Sequence, residues 1–281
     1  MSIALAGASL DALAADRSTA DSGADADLER RFGGLRRLYG DTAYRRIRAA
    51  RIAVVGVGGV GSWTAEALAR SGVAEITLID LDQVGESNVN RQVQALGSTL
   101  GMAKVDALRI RIADIHPGCM VHAVEAFVDA SNWPSLLQTP VDSVVDACDQ
   151  LIAKAVLSAW ALSTGTPLIV VGAAGGKRLP ERVEVGDLAS ATHDPVLAAL
   201  RQRLRKFHGA ARVGNVGLSC VFSREPVVAP DGEPSGVDGS LNCHGYGSSV
   251  SVTATFGMVA AAQALAFAAL GATERPGTAS L

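Results

Sequence analysis

The sequence lacks Cys-X-X-Cys pairs and any large excess of charge. Its four cysteines, Cys119, Cys148, Cys220 and Cys243, lie far apart, which argues against a structural zinc site because such a site needs paired thiolates. Scattered thiols also predict a reducing, cytoplasmic location. The formal net charge of −3 excludes a protein that is basic over its whole surface, but it leaves room for a local basic patch.

The N-terminal residues show no secretory signal, and one later segment is strongly apolar. Residues 1–27 are rich in Ala, Ser and Asp and have no basic start followed by an apolar run, so we predict a disordered tail. Residues 248–271 carry no charge and are long enough to cross a bilayer. Because small and hydroxyl side chains dominate them, a buried helix of an α/β core is favoured over contact with a membrane.

Residues 51–82, RIAVVGVGGVGSWTAEALARSGVAEITLIDLD, predict a complete βαβ unit. A β-branched run predicts a buried parallel strand, and a glycine-rich turn, a helix and a second strand follow it. Glycines permit a tight turn, close approach to a phosphate and close packing of helix on strand, while the helix N-terminus attracts anions. An acid at the end of the second strand usually binds a ribose hydroxyl. The pattern predicts a nucleotide site, rather than a glycine turn that binds nothing, at Gly56, Gly58, Gly59, Gly61 and Asp80.

Polar side chains follow the second strand. The segment 83–94, QVGESNVNRQVQ, lies just past the carboxyl end of a parallel strand, where ligands of open α/β sheets bind. Its Asn88, Asn90, Arg91 and Gln92 are suitable donors to phosphate and ribose. Lys104 begins a predicted helix over 104–115, where a cation opposes the helix dipole. A phosphate-binding role accounts for this lysine better than a surface role does.

Two carboxylates follow the fourth predicted strand, 141–145, in the run DACDQ. Asp146 and Asp149 lie at the sheet edge that already holds phosphate-type donors, which suggests a magnesium ion. The alternative is that one of them caps the following helix, 152–164. We predict Asp149 as the magnesium ligand.

The rest of the chain adds elements around this core. Residues 28–48 predict two short helices about a Gly-Gly break at 33–34. Strands are predicted at 119–124, 166–171, 179–187 and 217–223, a short helix within 127–137, a helix at 194–208, and an irregular loop at 226–239. The helix at 194–208 has a basic face that is either solvated or a nucleic-acid contact; its cations are Arg201, Arg203, Arg205 and Lys206.

The combined site favours ATP over a dinucleotide. A nicotinamide enzyme needs the glycines and Asp80, but it does not need Arg91, Lys104 and Asp149 at the same strand edge. Two cations and a magnesium ion suit a polyphosphate, and attack by a carboxylate on the α-phosphorus would give an acyl-adenylate and pyrophosphate. An NAD-dependent oxidoreductase and a non-catalytic nucleotide-binding scaffold remain the alternatives.

Several motifs resemble the ubiquitin-activating-enzyme-like superfamily of bacterial adenylating enzymes. GVGGVGSW, LIDLD, SNVNRQ, GMAK and DACDQ occur in that family's order over residues 45–176. Within the superfamily, RFGGLRRLYG, DPVLAALRQRLR, CVFSREP and TATFGMVAA are similar to the tRNA threonylcarbamoyladenosine dehydratases, over about residues 28–270. Sulfur-carrier activators usually have two Cys-X-X-Cys pairs, which this chain lacks.

The resemblance implies a fold, a reaction and partners. The fold is an α/β Rossmann-like, mostly parallel sheet with helices on both faces, in one domain of residues 28–281 with a core at 45–176 and a C-terminal elaboration at 177–273. The reaction is the ATP-dependent dehydration and cyclisation of threonylcarbamoyladenosine next to the tRNA anticodon, through adenylation of the threonyl carboxylate; the alternative is adenylation of a sulfur-carrier protein's C-terminus. A homodimer and a cysteine desulfurase partner are also implied.

The family's site residues carry over to matching positions. Catalytic roles are implied for Arg91, Lys104 and Asp149, with Asp149 on Mg²⁺. Where the family places an arginine that reaches across the dimer, this chain has Gly34, so Arg31 or Arg37 would have to replace it. The implied ATP-binding residues are Gly56, Gly58, Gly59, Gly61, Asp80, Asp82, Ser87, Asn88, Asn90, Arg91, Lys104 and Gln150.

Overall fold

A seven-stranded sheet organises the part of the chain that the computed structural model describes, residues 28–227 and 246–270. The strands lie in the order β3-β2-β1-β4-β5-β7-β6, and all neighbours are parallel except the antiparallel pair of β6 and β7. The mostly parallel Rossmann-like sheet predicted from the sequence is confirmed. The strands are β1 (Arg51–Val55), β2 (Glu75–Ile79), β3 (Met120–Val124), β4 (Ser143–Asp146), β5 (Leu168–Val171), β6 (Val183–Asp187) and β7 (Ser219–Ser223).

Helices cover both faces of this sheet. Short 3₁₀ turns occur at Glu86–Asn88, Gly97–Thr99 and Pro180–Arg182. The α-helices are α1 (Leu28–Tyr39), α2 (Asp41–Ala49), α3 (Gly61–Arg70), α4 (Lys104–Ile115), α5 (Leu151–Thr164), α6 (Pro195–Phe207) and α7 (Val250–Leu270).

Strand β1 shows how one apolar run serves two cores. Its Ile52 and Val54 side chains pack with α3, α4 and α7 on one face, whereas Ala53 and Val55 pack with α5 and α6 on the other. Successive side chains of a strand point to opposite faces, so a strand covered on both sides is apolar throughout.

Local sequence signals place two helices correctly. In α4, Val105, Leu108 and Ile112 are spaced for one face of a helix, and all three are fully buried. Asp194 is the N-cap of α6, because its carboxylate accepts a hydrogen bond from the backbone N–H of Leu197 at 3.0 Å.

Two predicted elements differ from the structure. Helix α1 continues through Gly33 and Gly34, and the break falls at Gly40, which has φ of +79°. The buried Phe32 fixes α1 through tertiary packing that outweighs the propensity cost of two helical glycines. Residues 127–137 contain turns rather than the short helix predicted there.

Helix α7 packs along the sheet as a core element. By length and composition it is the one helix in the two described segments that could cross a membrane, yet half of its most apolar window is buried. A Cβ at Gly257 would lie 2.6 Å from the Val60 carbonyl oxygen and 2.7 Å from the Trp63 Cβ, so α7 and α3 approach closely here. Close packing on α3 therefore accounts for part of the buried half of α7.

We predict that Gly257→Ala lowers the free energy of unfolding by about 1–3 kcal/mol, because the added methyl group overpacks the contact with α3. Helix propensity alone would instead raise the free energy of unfolding by about 1 kcal/mol, because alanine is a better helix former than glycine. Urea denaturation measures the change. The matched control is Met258→Ala, at an exposed position one residue further along α7, which should change the value by about 0.5 kcal/mol at most. A more stable Gly257→Ala protein would contradict this packing.

Candidate active site

A cleft of about 430 Å³ opens at the carboxyl ends of the parallel strands. The ends of β1, β2, β4 and β5, the loop after β2 and the start of α7 line it. This is the edge at which ligands of open α/β sheets bind. The strand order reverses between β1 and β4, so the cleft lies at the switch point of the sheet.

The glycine loop between β1 and α3 forms one wall of the cleft. Gly56 has φ of +79°, and a Cβ there would lie 2.7 Å from the backbone of Cys148. A Cβ at Gly61 would lie 1.8 Å from the carbonyl oxygen of Gly56. Gly58 faces the cleft, and its nearest neighbour would be the Gln92 amide at 3.8 Å. Gly56 and Gly61 thus shape the turn, while Gly58 leaves backbone open to a ligand.

Asp80 binds this loop from the end of β2. One carboxylate oxygen accepts the N–H of Val57 at 2.7 Å, and the other accepts the N–H of Asp82 at 2.9 Å. Burial raises the pKa of Asp80 above its ordinary value, against the lowering effect of Lys104. Each carboxylate oxygen has a second lone pair, so Asp80 can support the loop and still accept a ribose hydroxyl.

Lys104 forms an ion pair with Asp82 inside the cleft. Its Nζ lies 2.6 Å from an Asp82 carboxylate oxygen, and the lysine is only 6% exposed. Asp82 offsets the unfavourable position of a cation at the start of α4. The ammonium has three donors and Asp82 takes one of them, so the group can also donate to a phosphate.

Arg91 lines the cleft next to the glycine loop, since a Cβ at Gly59 would lie 3.3 Å from its Cγ. It is on a loop that is held by its own hydrogen bonds. Its guanidinium donates to the Ser87 carbonyl at 2.8 Å and to the Asn90 side chain at 2.9 Å, and Trp63 donates to the Arg91 carbonyl. Asn90 also donates to the Ser248 carbonyl at 3.0 Å. Ser87 and Asn90 therefore support the loop, and neither lines the cleft.

The two carboxylates after β4 have different surroundings. Asp149 is exposed and lines the cleft, whereas Asp146 is fully buried. Neither caps α5, whose N-cap is Gln150 without a side-chain hydrogen bond. Within residues 28–227 and 246–270, no group of three His, Cys, Asp or Glu side chains could hold a metal. A magnesium ion at Asp149 would therefore take its other ligands from phosphate and water, as this ion commonly does.

A buried ion pair that the sequence reasoning missed lies beneath the cleft. Lys154 Nζ contacts an Asp146 carboxylate oxygen at 3.1 Å, and it donates to the carbonyls of Asp146 and Val171 at 3.3 and 2.8 Å. Burial is the largest influence on the pKa of Lys154 and lowers it, but the charge and hydrogen bond of Asp146 together with smaller neighbouring contributions outweigh burial, so the pKa is raised overall. The sequence signal that could have revealed this ion pair is the single lysine within the otherwise apolar helix α5.

Cys148 lies between the two carboxylates. Its thiol donates to Asp146 at 3.0 Å, and burial together with the Asp146 charge raises its pKa well above the ordinary value. A raised pKa disfavours the thiolate form, so Cys148 is poorly suited to act as a nucleophile.

The structure separates the two arginines considered for the neighbouring subunit. Arg31 donates to the carbonyls of Asp114 and Ile115 at the end of α4, at 3.2 and 2.6 Å. Arg37 is exposed on α1.

Ten of the predicted site residues line the cleft, and three do not. The three that do not line it are Gly61, Ser87 and Asn90. The roles of all these residues in binding and catalysis stay predictions. The ten are Gly56, Gly58, Gly59, Asp80, Asp82, Asn88, Arg91, Lys104, Asp149 and Gln150.

Comparison with known proteins assigns the family. The sequence profile of the ThiF family matches residues 33–276. The chain belongs to the ThiF family. The tRNA threonylcarbamoyladenosine dehydratase of Escherichia coli is 42% identical over 246 residues, 84% of this chain and 92% of that protein. The enzyme of the same name from Bacillus subtilis is 40% identical over 190 residues, 67% of this chain and 73% of that protein.

One solved structure and one further sequence relative are also similar to this chain. The Escherichia coli tRNA N6-threonylcarbamoyladenosine dehydratase in complex with ATP has a TM-score of 0.78 at 42% identity, over 86% of this chain and 95% of that one. The Escherichia coli molybdopterin-synthase adenylyltransferase is 31% identical over 123 residues, which is 44% of this chain and 49% of that protein.

We predict that Lys154→Met lowers the free energy of unfolding by about 3–5 kcal/mol, because it leaves Asp146 as an unpaired buried charge. Adding Asp146→Asn to this variant should recover part of the lost stability, since neither residue of the pair then carries a charge. Chemical denaturation measures both variants. Ile152→Ala, at an exposed position on the same helix, is the control. A Lys154→Met protein with wild-type stability would show that loss of the ion pair does not destabilise the fold.

Proposed function

We propose that this protein is an ATP-dependent tRNA threonylcarbamoyladenosine dehydratase, which adenylates the threonyl carboxylate and closes it into a ring. The observation that carries the proposal is that one cleft contains the glycine loop, Arg91, Lys104 and Asp149 together. The ThiF family membership and the relatives of that name support the choice of substrate.

The cleft can orient ATP for attack on its α-phosphorus. The open backbone at Gly58 faces the phosphates, and Asp80 accepts a ribose hydroxyl. Lys104 and Arg91 are placed to stabilise negative charge on the phosphates as it shifts during the displacement. The threonyl carboxylate then forms a bond to the α-phosphorus as the bond to pyrophosphate breaks.

The adenylate makes ring closure favourable. A nitrogen of the threonylcarbamoyl group attacks the activated carbonyl carbon, and AMP leaves with one of the original carboxylate oxygens. The nitrogen loses its proton. The substrate loses one water overall, and ATP becomes AMP and pyrophosphate. The residues of the cleft contribute position and electrostatic stabilisation, and none of them needs to form a covalent bond.

We further propose that Asp149 binds Mg²⁺, which would neutralise phosphate charge when bound. The exposed carboxylate at the cleft and the ion-paired, buried Asp146 together support Asp149 as the ligand.

We also propose a homodimer that acts in the cytoplasm. Arg37 is the candidate to reach the neighbouring subunit, because Arg31 is engaged at the end of α4. Light scattering of the purified protein would give the mass that tests the dimer. A cysteine desulfurase partner stays a prediction.

The reaction is tested by mass spectrometry of nucleosides from tRNA that carries the threonylcarbamoyl group, after incubation with the protein, ATP and magnesium. Loss of one water from the modified adenosine, only with ATP present, supports the proposal. Unchanged tRNA under conditions where the protein binds ATP would contradict it. Adenylation of a sulfur-carrier C-terminus, the alternative that the sequence resemblance leaves open, would then be assayed.

We predict that Lys104→Ala lowers kcat/KM for dehydration by roughly 100-fold, because a phosphate contact in a shielded cleft is lost. Removing Lys104 also leaves Asp82 unneutralised. The double variant Asp82→Ala/Lys104→Ala separates the two effects. If it recovers wild-type kcat/KM, Lys104 only balances Asp82. Arg109→Ala, an exposed position on the same helix, is the control.

We predict that Asp149→Asn raises the magnesium concentration for half-maximal activity by about tenfold or more, because a charged ligand is lost. Magnesium titration of the dehydration rate measures this. The control is Glu125→Gln, at an exposed position after β3 near the same sheet edge. A titration curve identical to that of the wild type would remove Asp149 as the ligand.

A further inference from the structure

One segment of this slightly acidic chain carries cations without any acidic side chain. Residues 195–223 contain five arginines and lysines and no aspartate or glutamate, although the whole chain has a net charge of −3. Four of the five cations lie on α6, and Arg212 lies in the loop that follows it. Arg201, Arg205, Lys206 and Arg212 line a shallow hollow of about 410 Å³.

Internal contacts account for part of this charge. Arg201 donates to the carbonyls of Leu188 and Ala191 at 2.9 and 2.8 Å, which ties α6 to the preceding loop. Arg205 donates to the Ala211 carbonyl at 3.1 Å. Cations in the last turn also complement the helix dipole. Neither effect accounts for Arg212, which is exposed beyond the helix.

An exposed aromatic ring lies among these cations. Phe207 is 60% exposed at the end of α6. The Lys206 ammonium lies 4.9 Å from its ring centre, and the Arg203 guanidinium carbon lies 5.6 Å away. The buried stripe of α6 is formed by other residues, with Leu200 and Leu204 among them. Phe207 is therefore not needed for the core, and an exposed ring beside cations suits stacking against a nucleobase.

Helix α6 connects this region to the cleft. Val196 lines the cleft, and the Asp194 carboxylate accepts the N–H of Ala173 in the loop that forms its floor, at 2.8 Å. With a rise of 1.5 Å per residue, Phe207 lies about 16 Å from Val196 along the helix axis. When the adenosine of an RNA occupies the cleft, its neighbouring nucleotides can span this distance and contact the end of α6.

We propose that the α6 basic surface binds the RNA strand next to the reacting adenosine; this surface comprises Arg203, Arg205, Lys206, Phe207 and Arg212. The cations contact phosphates, and Phe207 stacks on one base. The inference rests on the proposed function, because it requires an RNA substrate in the cleft. It adds the location and the chemistry of RNA docking.

The test compares two charge-matched double variants. Lys206→Ala/Arg212→Ala removes two exposed cations from the α6 basic surface, and Arg70→Ala/Arg109→Ala removes two from α3 and α4 on the other face of the sheet. The Kd for threonylcarbamoylated tRNA is measured between about 50 and 300 mM KCl. Each lost phosphate contact should reduce the salt slope by about 0.7–0.9, so the first variant should lose about 1.4–1.8 and the control nothing.

The stacking contact is tested with Phe207→Ala. Loss of one stacked base weakens RNA binding by about fivefold or more without changing the salt slope, and Val213→Ala, an exposed apolar position in the following loop, is the control. Calorimetry with ATP should give the wild-type Kd for all variants, because none of these residues lines the cleft.

The outcomes separate this inference from the proposed function. Suppose that the wild-type protein dehydrates the tRNA. If the α6 double variant then keeps the wild-type salt slope, or if both double variants lose the same amount of slope, RNA binding by the α6 basic surface is overturned and the proposed activity stands. If wild-type protein binds ATP but neither binds nor dehydrates the tRNA, the proposed function fails and the inference fails with it.

Discussion

The contact of Gly61 with the carbonyl oxygen of Gly56 is the constraint on which the site depends. A Cβ at Gly61 would overlap that oxygen at 1.8 Å, and a Cβ at Gly56 would meet the backbone of Cys148 at 2.7 Å. Without these side chains, α3 can begin directly above β1, and the loop can cross the end of β4. The same crossing exposes backbone at Gly58 to the cleft. One steric requirement therefore fixes both the fold of the βαβ unit and the phosphate wall.

The ion pair of Lys154 and Asp146 beneath the cleft has a desolvation cost. Moving two charges out of water costs several kcal/mol for each ion, and the pair is stable only because further hydrogen bonds support it. Lys154 uses its ammonium to join the ends of β4 and β5, through Asp146 and the Val171 carbonyl. A hydrophobic pair of similar volume would fill the space but would leave the Val171 carbonyl without this donor. The pair thus holds the floor of the cleft, while Asp149, three residues from Asp146, lies exposed at the cleft where a ligand can reach it.

The parts of the fold set by local sequence could be predicted. The βαβ unit, the apolar face of α4 and the Asp194 cap each depend on residues that are close in the chain, so periodicity and capping patterns are sufficient. The break after α1 was wrongly placed at Gly33 and Gly34, because propensity does not include the packing of Phe32.

The sequence was sufficient to predict which residues of the site lie close together, but not which of them form ion pairs. The carboxyl ends of parallel strands meet at one edge, so Arg91, Lys104 and Asp149 were expected together, and all three line the cleft. The pairings of Lys104 with Asp82 and of Lys154 with Asp146 join residues 22 and 8 positions apart. No periodic pattern specifies such contacts, so sequence reasoning missed both ion pairs, although it preferred Asp149 to Asp146 as the metal ligand.

Helix α6 shows why a rigid element is a suitable link between a cleft and a docking surface. Asp194 binds the N–H of Leu197 with one carboxylate oxygen and the N–H of Ala173 with the other, so the start of the helix and the floor of the cleft share one side chain. The apolar stripe of α6 is buried against α5, which leaves the helix little freedom to tilt. Contacts to phosphates position a nucleic acid but carry no sequence information. On such a helix, selection of one adenosine would depend on the fixed distance between the α6 basic surface and the cleft, rather than on reading the neighbouring bases.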